Sequence, residues 1–394
     1  MTNTIENLPP LIGLAKLMAL AFAGEDLSPL GAELIQRAET ETGGNALMDL
    51  ATVLILRGNT ELGLQMQAEA IRSQQVYALP TATHATALQV LAVMGPGDLM
   101  ANSPIEFLLE HSNIQLNAVY ITPTQPLPNE LPAHNLLYIA VAQSDANNLL
   151  LDTLTTITTN WPHPVINQPT RIAVLSRDQV PELLKNIPGI VMPPTVRIDK
   201  QTLASYPPDK MPTYPAIIRP VDSHAGHGLE QLTDASALEN YLSIHTNTDE
   251  FYLSAFIDYR SQDGQFRKYR IVLIAGKPYL CHLAISAHWM IHYLNAGMAD
   301  SAEKRAEEAQ VMTDFDTGFA ARHAKALEAI YQRIGLDYVG LDCAETQDGK
   351  LLIFEVDSCM IVHALDPIDL FPYKKPHMRK LFAAFQQMLF DKAA

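Results

Sequence analysis

The sequence predicts a mixed α/β protein that begins with a helical region, and three observations support this fold class. The first 80 or so residues carry apolar positions at helical spacing. From about residue 85, strand-like apolar runs alternate with helical segments, which is typical of a small parallel α/β domain. From Tyr214 onward, strands, loops and hairpins predominate. We therefore expect three consecutive regions, over residues 1–82, 83–195 and 196–394.

Length, composition and charge exclude several classes of protein. A chain of 394 residues with 48% apolar residues can bury a large core in two or three domains, so it is globular and not disordered. A net charge of −16 argues against a general nucleic-acid or anionic-membrane binder. An anionic ligand must then be held by a local cationic pocket. Three scattered cysteines without CxxC spacing favour a reducing cytoplasm over a disulfide scaffold.

Two N-terminal stretches predict helices. Residues Leu11–Gly24 lack a basic leader, are interrupted by Lys16 and are too short to span a bilayer, so we expect a buried amphipathic helix. Residues Asn45–Pro80 predict two helices joined at Gly58-Asn59. Their spacing is similar to one degenerate tetratricopeptide unit, and an ordinary helical hairpin is the alternative. A single unit cannot bury its own face and must pack on its neighbours.

The remaining elements follow from apolar runs and their boundaries. "GPGD" after the first predicted strand could bring backbone close to a ligand, or it is a plain turn. The hairpin over Phe266–Ser286 should turn at Gly276-Lys277. The predicted strands and helices are Ala87–Met94, Ser103–Glu110, Asp145–Asn160, Arg177–Lys185, a strand ending at Arg219, Phe251–Tyr259, Ala321–Ile334 stopped by Gly335, and a closing helix over about 375–390.

A hairpin near the C-terminus brings acidic side chains together. Asp348-Gly349 is a favoured pair for a two-residue turn, and such a turn makes Gln347 face Lys350. In that register Asp342 lies directly opposite Glu355. Like charges at that separation repel unless a cation or a proton intervenes.

A third acid, Asp357, follows on the same face of this hairpin. Three carboxylates around one point suit a hard divalent ion such as Mg²⁺, so we expect Asp342, Glu355 and Asp357 to bind metal. The alternative is the solvated face of a half-buried hairpin.

Cationic residues in the same half predict a phosphate site. Arg219 ends a buried strand before a glycine-rich loop, whose backbone N–H groups suit phosphate oxygens. Arg270 lies in an apolar strand and needs an anionic partner, which could be the acid cluster or a bound polyphosphate. The loop residues expected at the phosphates are Ser223, His224, Gly226 and Gly228.

A segment rich in histidine and aromatic residues, Cys281–Met298, follows the Arg270 hairpin. On a helix, His288 and His292 would share a face and could bind a transition metal, although no third ligand has convincing spacing. Packed core histidines and a substrate-lining surface are the alternatives. The substrate candidates are His282, Ser286, His288 and His292.

From about residue 85 onward, ordered pieces of the sequence resemble the ATP-grasp superfamily of glutathione synthetase and D-alanine–D-alanine ligase. These pieces are "SRDQVPELL", "PAIIRPVDSHAGHG", "FYLSAFI", "RKYRIVLIAGK" and "YVGLD…LLIFEVD". The chain departs from the pattern at Arg219, where lysine is usual, and at Asp357, where asparagine is commoner. The first change keeps the charge and alters the geometry, and the second adds negative charge.

The resemblance implies an α+β ATP-grasp fold for residues 196–394, preceded by a small pre-ATP-grasp α/β domain. It implies ATP, with one or two Mg²⁺ ions, and an acyl-phosphate route that joins a carboxylate to an amine or thiol. It also makes Arg270 the catalytic contact to the terminal phosphate. The further ATP-binding residues that it implies are Arg177, Ala255, Phe256 and Ile257.

The substrates expected are small molecules or peptides, and a homodimer through the α/β domain is left open. One alternative function is a catalytically inactive nucleotide-binding scaffold that presents its N-terminal helices to a protein partner. Another is a carboxylate kinase-like enzyme with a non-amine acceptor.

Overall fold

The computed structural model describes residues 10–81, 85–206, 211–221, 223 and 226–394. The chain forms two compact units. The first comprises residues 1–173, 336–339 and 357–394, and the second comprises residues 174–335 and 340–356. These units are discontinuous along the chain, and the three consecutive regions stay a prediction.

The helices and strands are numbered along the chain. The helices are α1 (Leu14–Phe22), α2 (Ser28–Thr40), α3 (Asn45–Leu56), α4 (Thr60–Ser73), α5 (Asn148–Thr158), α6 (Pro169–Ile172), α7 (Gln179–Leu183), α8 (Lys200–Ala204), α9 (Ala235–Ile244), α10 (Ala302–Asp314), α11 (Phe319–Arg322), α12 (Ala324–Ile334) and α13 (Lys374–Ala393). The strands are β1 (Val76–Leu79), β2 (Leu88–Met94), β3 (Ile114–Tyr120), β4 (Leu136–Ile139), β5 (Val165–Ile166), β6 (Ile190–Val191), β7 (Thr195–Asp199), β8 (Ala216–Pro220), β9 (Glu230–Leu232), β10 (Glu250–Ala255), β11 (Phe266–Ile274), β12 (Lys277–Ser286), β13 (Tyr338–Glu345) and β14 (Leu351–Asp357).

The first unit combines the N-terminal helices with a five-stranded sheet. Its strand order is β1-β3-β2-β4-β5, in which β2 to β5 run parallel and β1 is an antiparallel edge. The predicted helical pair is confirmed as α3 and α4, and the predicted N-terminal helix is confirmed as α1. The tetratricopeptide interpretation stays a prediction. In the described ranges, every helix is too short or too polar to span a bilayer.

The second unit contains a four-stranded antiparallel sheet of order β7-β10-β8-β9. Another sheet has the order β12-β11-β13-β14-β6, so β11 and β13 are hydrogen-bonded neighbours in it. In this sheet β13 is buried at all but its last residue, and β11 is buried at six of its nine residues. Helix α12 ends as predicted at Gly335, whose φ of 68° is the left-handed conformation that glycine adopts without strain.

Three local predictions are wrong in detail. The segment predicted as the helix Ser103–Glu110 contains only a 3₁₀ turn over Ile105–Leu109. The predicted strand Phe251–Tyr259 ends at Ala255. In the β11–β12 hairpin, Ile274 pairs with Lys277, so the turn residues are Ala275 and Gly276, both with positive φ. Two positive φ values match the twist of the flanking strands.

The predicted two-residue turn between β13 and β14 is also wrong. The backbone N–H of Thr346 donates to Lys350 O, and that of Gly349 donates to Thr346 O, each at 2.9 Å. The loop therefore has three residues, and Thr346, instead of Gln347, faces Lys350. The Thr346 hydroxyl accepts from Lys350 N at 3.0 Å, which stabilises this arrangement. The register expected from the sequence does not hold at the turn.

Two buried carboxylates hold the start of α1 in the first unit. Asp49 of α3 accepts from Ile12 N at 2.8 Å and from Gly13 N at 3.0 Å. Glu106 accepts from Ala15 N at 2.5 Å. The N–H groups at a helix start have no partner within the helix, so these acids satisfy them and also complement the helix dipole.

Burial raises the pKa of both carboxyl groups. It raises the pKa of Asp49 to about 6, although Ile12 and Gly13 oppose the shift. It raises the pKa of Glu106 to about 7, and the negative charge of Asp49 adds to the effect. The charge of Arg37 lowers the pKa of Asp49, and the charge of Glu41 raises it. A raised folded-state pKa contributes stability that is complete below the unfolded pKa and is lost as pH rises through the folded value.

We predict that replacing Glu106→Gln flattens the dependence of stability on pH. The wild-type free energy of unfolding, measured by urea titration, should fall between pH 5 and pH 8 by roughly 2 kcal/mol more than that of the variant. The exposed Glu130→Gln serves as the control and should follow the wild type. Parallel profiles for wild type and Glu106→Gln would contradict this account.

Candidate active site

Asp342 forms the centre of the candidate site in the second unit. Its carboxylate is almost completely buried and accepts from Arg270 through Nε at 2.8 Å and Nη2 at 3.0 Å. Lys268 Nζ lies 2.7 Å from Oδ2 of the same carboxylate. Both oxygens of Asp342 are therefore engaged by cationic side chains.

The position of Lys268 and Arg270 follows from strand geometry. They lie two residues apart on β11, so their side chains leave the same face of the sheet. Asp342 lies on β13, the hydrogen-bonded neighbour of β11. A β-bulge separates Arg270 from Ile271, and bulges commonly re-aim a side chain beside a functional site.

The charges at Asp342 stabilise one another. Burial alone would raise the pKa of its carboxyl, but Arg270 and Lys268 outweigh burial and hold that pKa far below its usual range. Burial also disfavours the charged form of Arg270, yet Asp342 raises the pKa of its guanidinium. Asp342 and Arg270 are therefore both charged at neutral pH.

A second ion pair, between Arg177 and Glu355, interacts electrostatically with Asp342. Arg177, which precedes α7, donates through Nη2 to Oε1 of Glu355 on β14. Burial raises the pKa of Glu355, but the combined charges around it, Arg177 foremost, bring it below its usual value. The negative charge of Asp342 opposes the ionisation of Glu355, and the two acids lie on the neighbouring strands β13 and β14.

Arg219 adds another cation at the end of β8. Its Nε donates to Ser223 Oγ at 3.0 Å and its Nη2 donates to Ser223 O, so the side chain braces the start of the glycine-rich loop. Burial, and then the charge of Arg177, lower the pKa of Arg219 to about 10. This partly buried guanidinium is still charged at neutral pH.

The described part of the glycine-rich loop requires glycine. Gly226 and Gly228 have φ values of 78° and 64°. A Cβ on Gly228 would lie 2.7 Å from Pro220 Cδ, so a side chain there would force the loop away from β8. His224 lies outside the described residues. The phosphate contacts expected of this loop stay a prediction.

The predicted metal site does not fit a divalent ion at Asp342 as arranged. Both Asp342 oxygens and one oxygen of Glu355 already accept from protein cations. Asp357 belongs to the first unit, where its carboxylate accepts from Cys359 N at 2.9 Å. Across the described ranges, no group of three or more His, Cys, Asp or Glu side chains is placed to hold a metal. Metal binding by the three acids stays a prediction.

The histidine segment is not the helix that would bring its histidines onto one face. Residues after β12 form bends and a 3₁₀ turn over Tyr293–Asn295. His288 is exposed, whereas His292 is partly buried near Lys268 and Arg270. Burial, and then those two cations, lower the pKa of His292, so it is neutral at neutral pH.

The other two substrate candidates lie on β12. His282 pairs with Arg270 across the hairpin, and its ring lies 4.3 Å from that of Tyr293. Ser286, at the end of β12, is buried and accepts from His288 N at 3.1 Å. Substrate binding by this segment stays a prediction.

The predicted ATP-binding residues Ala255, Phe256 and Ile257 lie where β10 ends. Ala255 pairs with Ala216 of β8, and Phe256 N donates to Pro215 O at 3.0 Å. The Phe256 ring packs edge-on against Trp289 at 5.5 Å. Ile257 is partly buried. Ala255 and Phe256 are held beside β8, and ATP binding by the three residues stays a prediction.

Lys268 was missed by reasoning from the sequence. The signal was its spacing of two residues from Arg270, which places two cations on one strand face. Glu308 of α10 was also missed, although it is buried and accepts from Leu283 N at 2.9 Å and from the Tyr293 hydroxyl. Glu308 lies in a largely polar helical segment, and nothing in the sequence of that segment indicates that this acid is buried.

Comparison with solved structures finds several proteins of similar fold. The VanG D-Ala:D-Ser ligase from Enterococcus faecalis matches with a TM-score of 0.50 and 13% identity, over 78% of this chain and 100% of that chain. A RimK domain ATP-grasp protein from Sphaerobacter thermophilus gives 0.45 and 15%, over 76% and 99%. A D-alanine–D-alanine ligase from Bacillus anthracis complexed with ATP gives 0.44 and 12%, over 78% and 99%. No protein-family model and no curated protein matches the chain.

The fold and the site first define the class of protein. It is a mixed α/β protein with cationic side chains on β8 and β11 and acidic side chains on the β13–β14 hairpin. The structural match to the D-Ala:D-Ser ligase then identifies the architecture, and the chain has the ATP-grasp fold. The expected fold class is thereby confirmed.

We predict that Asp342→Asn destabilises the protein by about 3 kcal/mol, because it leaves the partly buried Arg270 and Lys268 without their counter-charge. Chemical denaturation at neutral pH measures this loss. Asp348→Asn is the matched control, since Asp348 pairs with Lys350 on the exposed hairpin loop, where solvent screens the pair, and its loss should be much smaller. Equal losses of stability in the two variants would show that the contacts of Asp342 contribute no more than an exposed ion pair does.

Proposed function

We propose that the chain is an ATP-dependent ligase that joins a carboxylate to an amine or a thiol through an acyl phosphate. One observation carries this proposal: the second unit gathers four cationic side chains around two carboxylates. The cations are Arg177, Arg219, Lys268 and Arg270, and the carboxylates are Asp342 and Glu355.

This excess of positive charge suits a polyphosphate. Four cations against two carboxylates leave two positive charges uncompensated among these residues, within a chain whose net charge is −16. Guanidinium groups bind phosphate oxygens through paired N–H donors, and an ammonium binds them as a compact charge. The fold supports the same class of ligand, because it is shared with a solved D-Ala:D-Ser ligase.

The proposed reaction has two displacements. An oxygen of the substrate carboxylate attacks the γ-phosphorus of ATP, the bond to the β–γ bridging oxygen breaks, and ADP leaves. The amine or thiol then attacks the carbonyl carbon of the acyl phosphate, loses a proton, and expels inorganic phosphate. Both steps build negative charge on oxygen, which fixed cations stabilise.

Arg270 is the residue proposed to supply that stabilisation, and its contacts support this role. Its Nε and Nη2 are held by Asp342, and among the described residues Nη1 makes no hydrogen bond. A guanidinium fixed on one edge can present its other edge to an anion without losing side-chain freedom at the moment of reaction.

The proposal is tested by following ADP release with panels of carboxylates, each alone and together with an amine or a thiol. A ligase releases ADP only when both substrates are present. ADP release with a carboxylate alone, giving an acyl phosphate that hydroxylamine traps, would instead indicate a carboxylate kinase. Nucleotide binding without turnover in any mixture would favour the scaffold.

We predict that Arg270→Met lowers turnover by about 10²-fold, the scale expected when one fixed charge that stabilises a transition state is lost. The exposed Arg260→Met is the matched control and should retain full turnover. Circular dichroism confirms that both variants are folded. Full activity in folded Arg270→Met would remove this residue from the reaction.

A further inference from the structure

The contacts of Asp342 conflict with the metal-binding role that the sequence predicts for it. A carboxylate that ligates a divalent ion must offer a lone pair to it, yet Arg270 and Lys268 contact both oxygens of Asp342 and occupy three of its roughly four acceptor sites. The carboxylate also has almost no exposed surface. Its contacts are those of a counter-ion for two side chains, not those of a metal ligand.

We propose that Lys268 binds phosphate in place of a divalent ion at Asp342, so that this chain binds polyphosphate without a metal. Asp342 then serves to position the two cations. This inference rests on the proposed function, because it takes a nucleoside triphosphate as the natural ligand. The site itself is defined by its charge and geometry, and it accepts any linear polyphosphate of suitable length.

The placement of Lys268 supports this role. Its ammonium has three donors, of which one reaches Asp342 and another reaches Ile291 O at 3.2 Å. The side chain keeps 18% of its surface exposed, whereas Asp342 keeps 2%. Lys268 is thus fixed at its tip and still open to a ligand, and Asp342 is covered.

The surrounding charges support a direct phosphate site. A divalent ion in an ATP site neutralises the charge on the phosphate oxygens. Here Lys268 and Arg270 already place two positive charges on one strand face, and Arg219 and Arg177 add two more on neighbouring elements. His292, the nearby imidazole, is neutral at neutral pH and adds no charge. The protein's own cations can therefore balance a polyphosphate.

Asp342 is needed because two adjacent cations repel each other. Its bidentate bond to Arg270 and its contact to Lys268 hold both side chains in one geometry before a ligand arrives. A site that is ordered in advance loses less conformational entropy on binding. The buried acid therefore acts as a positioning residue for the two cations.

Isothermal titration calorimetry tests the inference, with inorganic tripolyphosphate and with a non-hydrolysable ATP analogue as probes. Each is measured in EDTA and in excess Mg²⁺. For the wild type we expect tripolyphosphate and analogue affinities that change by less than about threefold between the two conditions. Lys268→Met should weaken binding in EDTA by about tenfold or more, and Lys268→Arg should restore most of it.

Lys277→Met is the matched control, because it removes an exposed lysine at the start of β12 and should bind as the wild type does. Thermal melts of each variant establish that it is folded. Binding by the wild type only in the presence of Mg²⁺ would overturn the inference. Unchanged affinity of folded Lys268→Met in EDTA would overturn it as well.

The two probes separate this inference from the proposed function. Tripolyphosphate binding in EDTA that depends on Lys268, without binding of the ATP analogue, would uphold the anion site and contradict the ligase proposal. Metal-dependent binding of the analogue, together with ADP release on a carboxylate and an amine, would uphold the ligase and contradict the role of Lys268.

Discussion

The second unit depends on one interaction, the bonding of the Asp342 carboxylate to Arg270 and Lys268. An arginine and a lysine on one face of a buried strand repel each other and lose hydration, so β11 needs a negative charge beside it. The neighbouring strand β13 supplies that charge within hydrogen-bond distance of both cations. The same contact fixes the two cations where a phosphate could meet them, so the stability of this sheet and its proposed chemistry share one origin.

The first unit uses buried acids in the opposite way. Asp49 and Glu106 bind backbone N–H groups and not cations, and burial makes them harder to ionise. Asp342, held by two cations, is much easier to ionise. The signs of the two effects differ: the pair in the first unit loses stabilisation as pH rises toward neutrality, whereas Asp342 loses it only as pH falls below the ordinary range of an aspartate. Neutral pH therefore favours the candidate site over the anchor of α1.

Much of the fold could be predicted from the sequence, because periodic apolar runs and glycine stops define α1, α3, α4, β2 and α12. The turn between β13 and β14 could not, since the Thr346 side chain favours a three-residue loop over the two-residue turn that Asp-Gly alone indicates. At the site, sequence reasoning placed Arg270 and Asp342 in one region and left open which anion Arg270 meets. It missed that Lys268 is a partner, because tertiary pairing of charges leaves no local pattern.

A crystal structure with a non-hydrolysable ATP analogue, grown once with and once without Mg²⁺, tests the central claim most directly. The account predicts phosphate oxygens within hydrogen-bond distance of Lys268 and Arg270 in both crystals, with Asp342 still bonded to the two cations. A structure in which Asp342 releases them and coordinates a metal, or in which the phosphates lie away from β11, would contradict it.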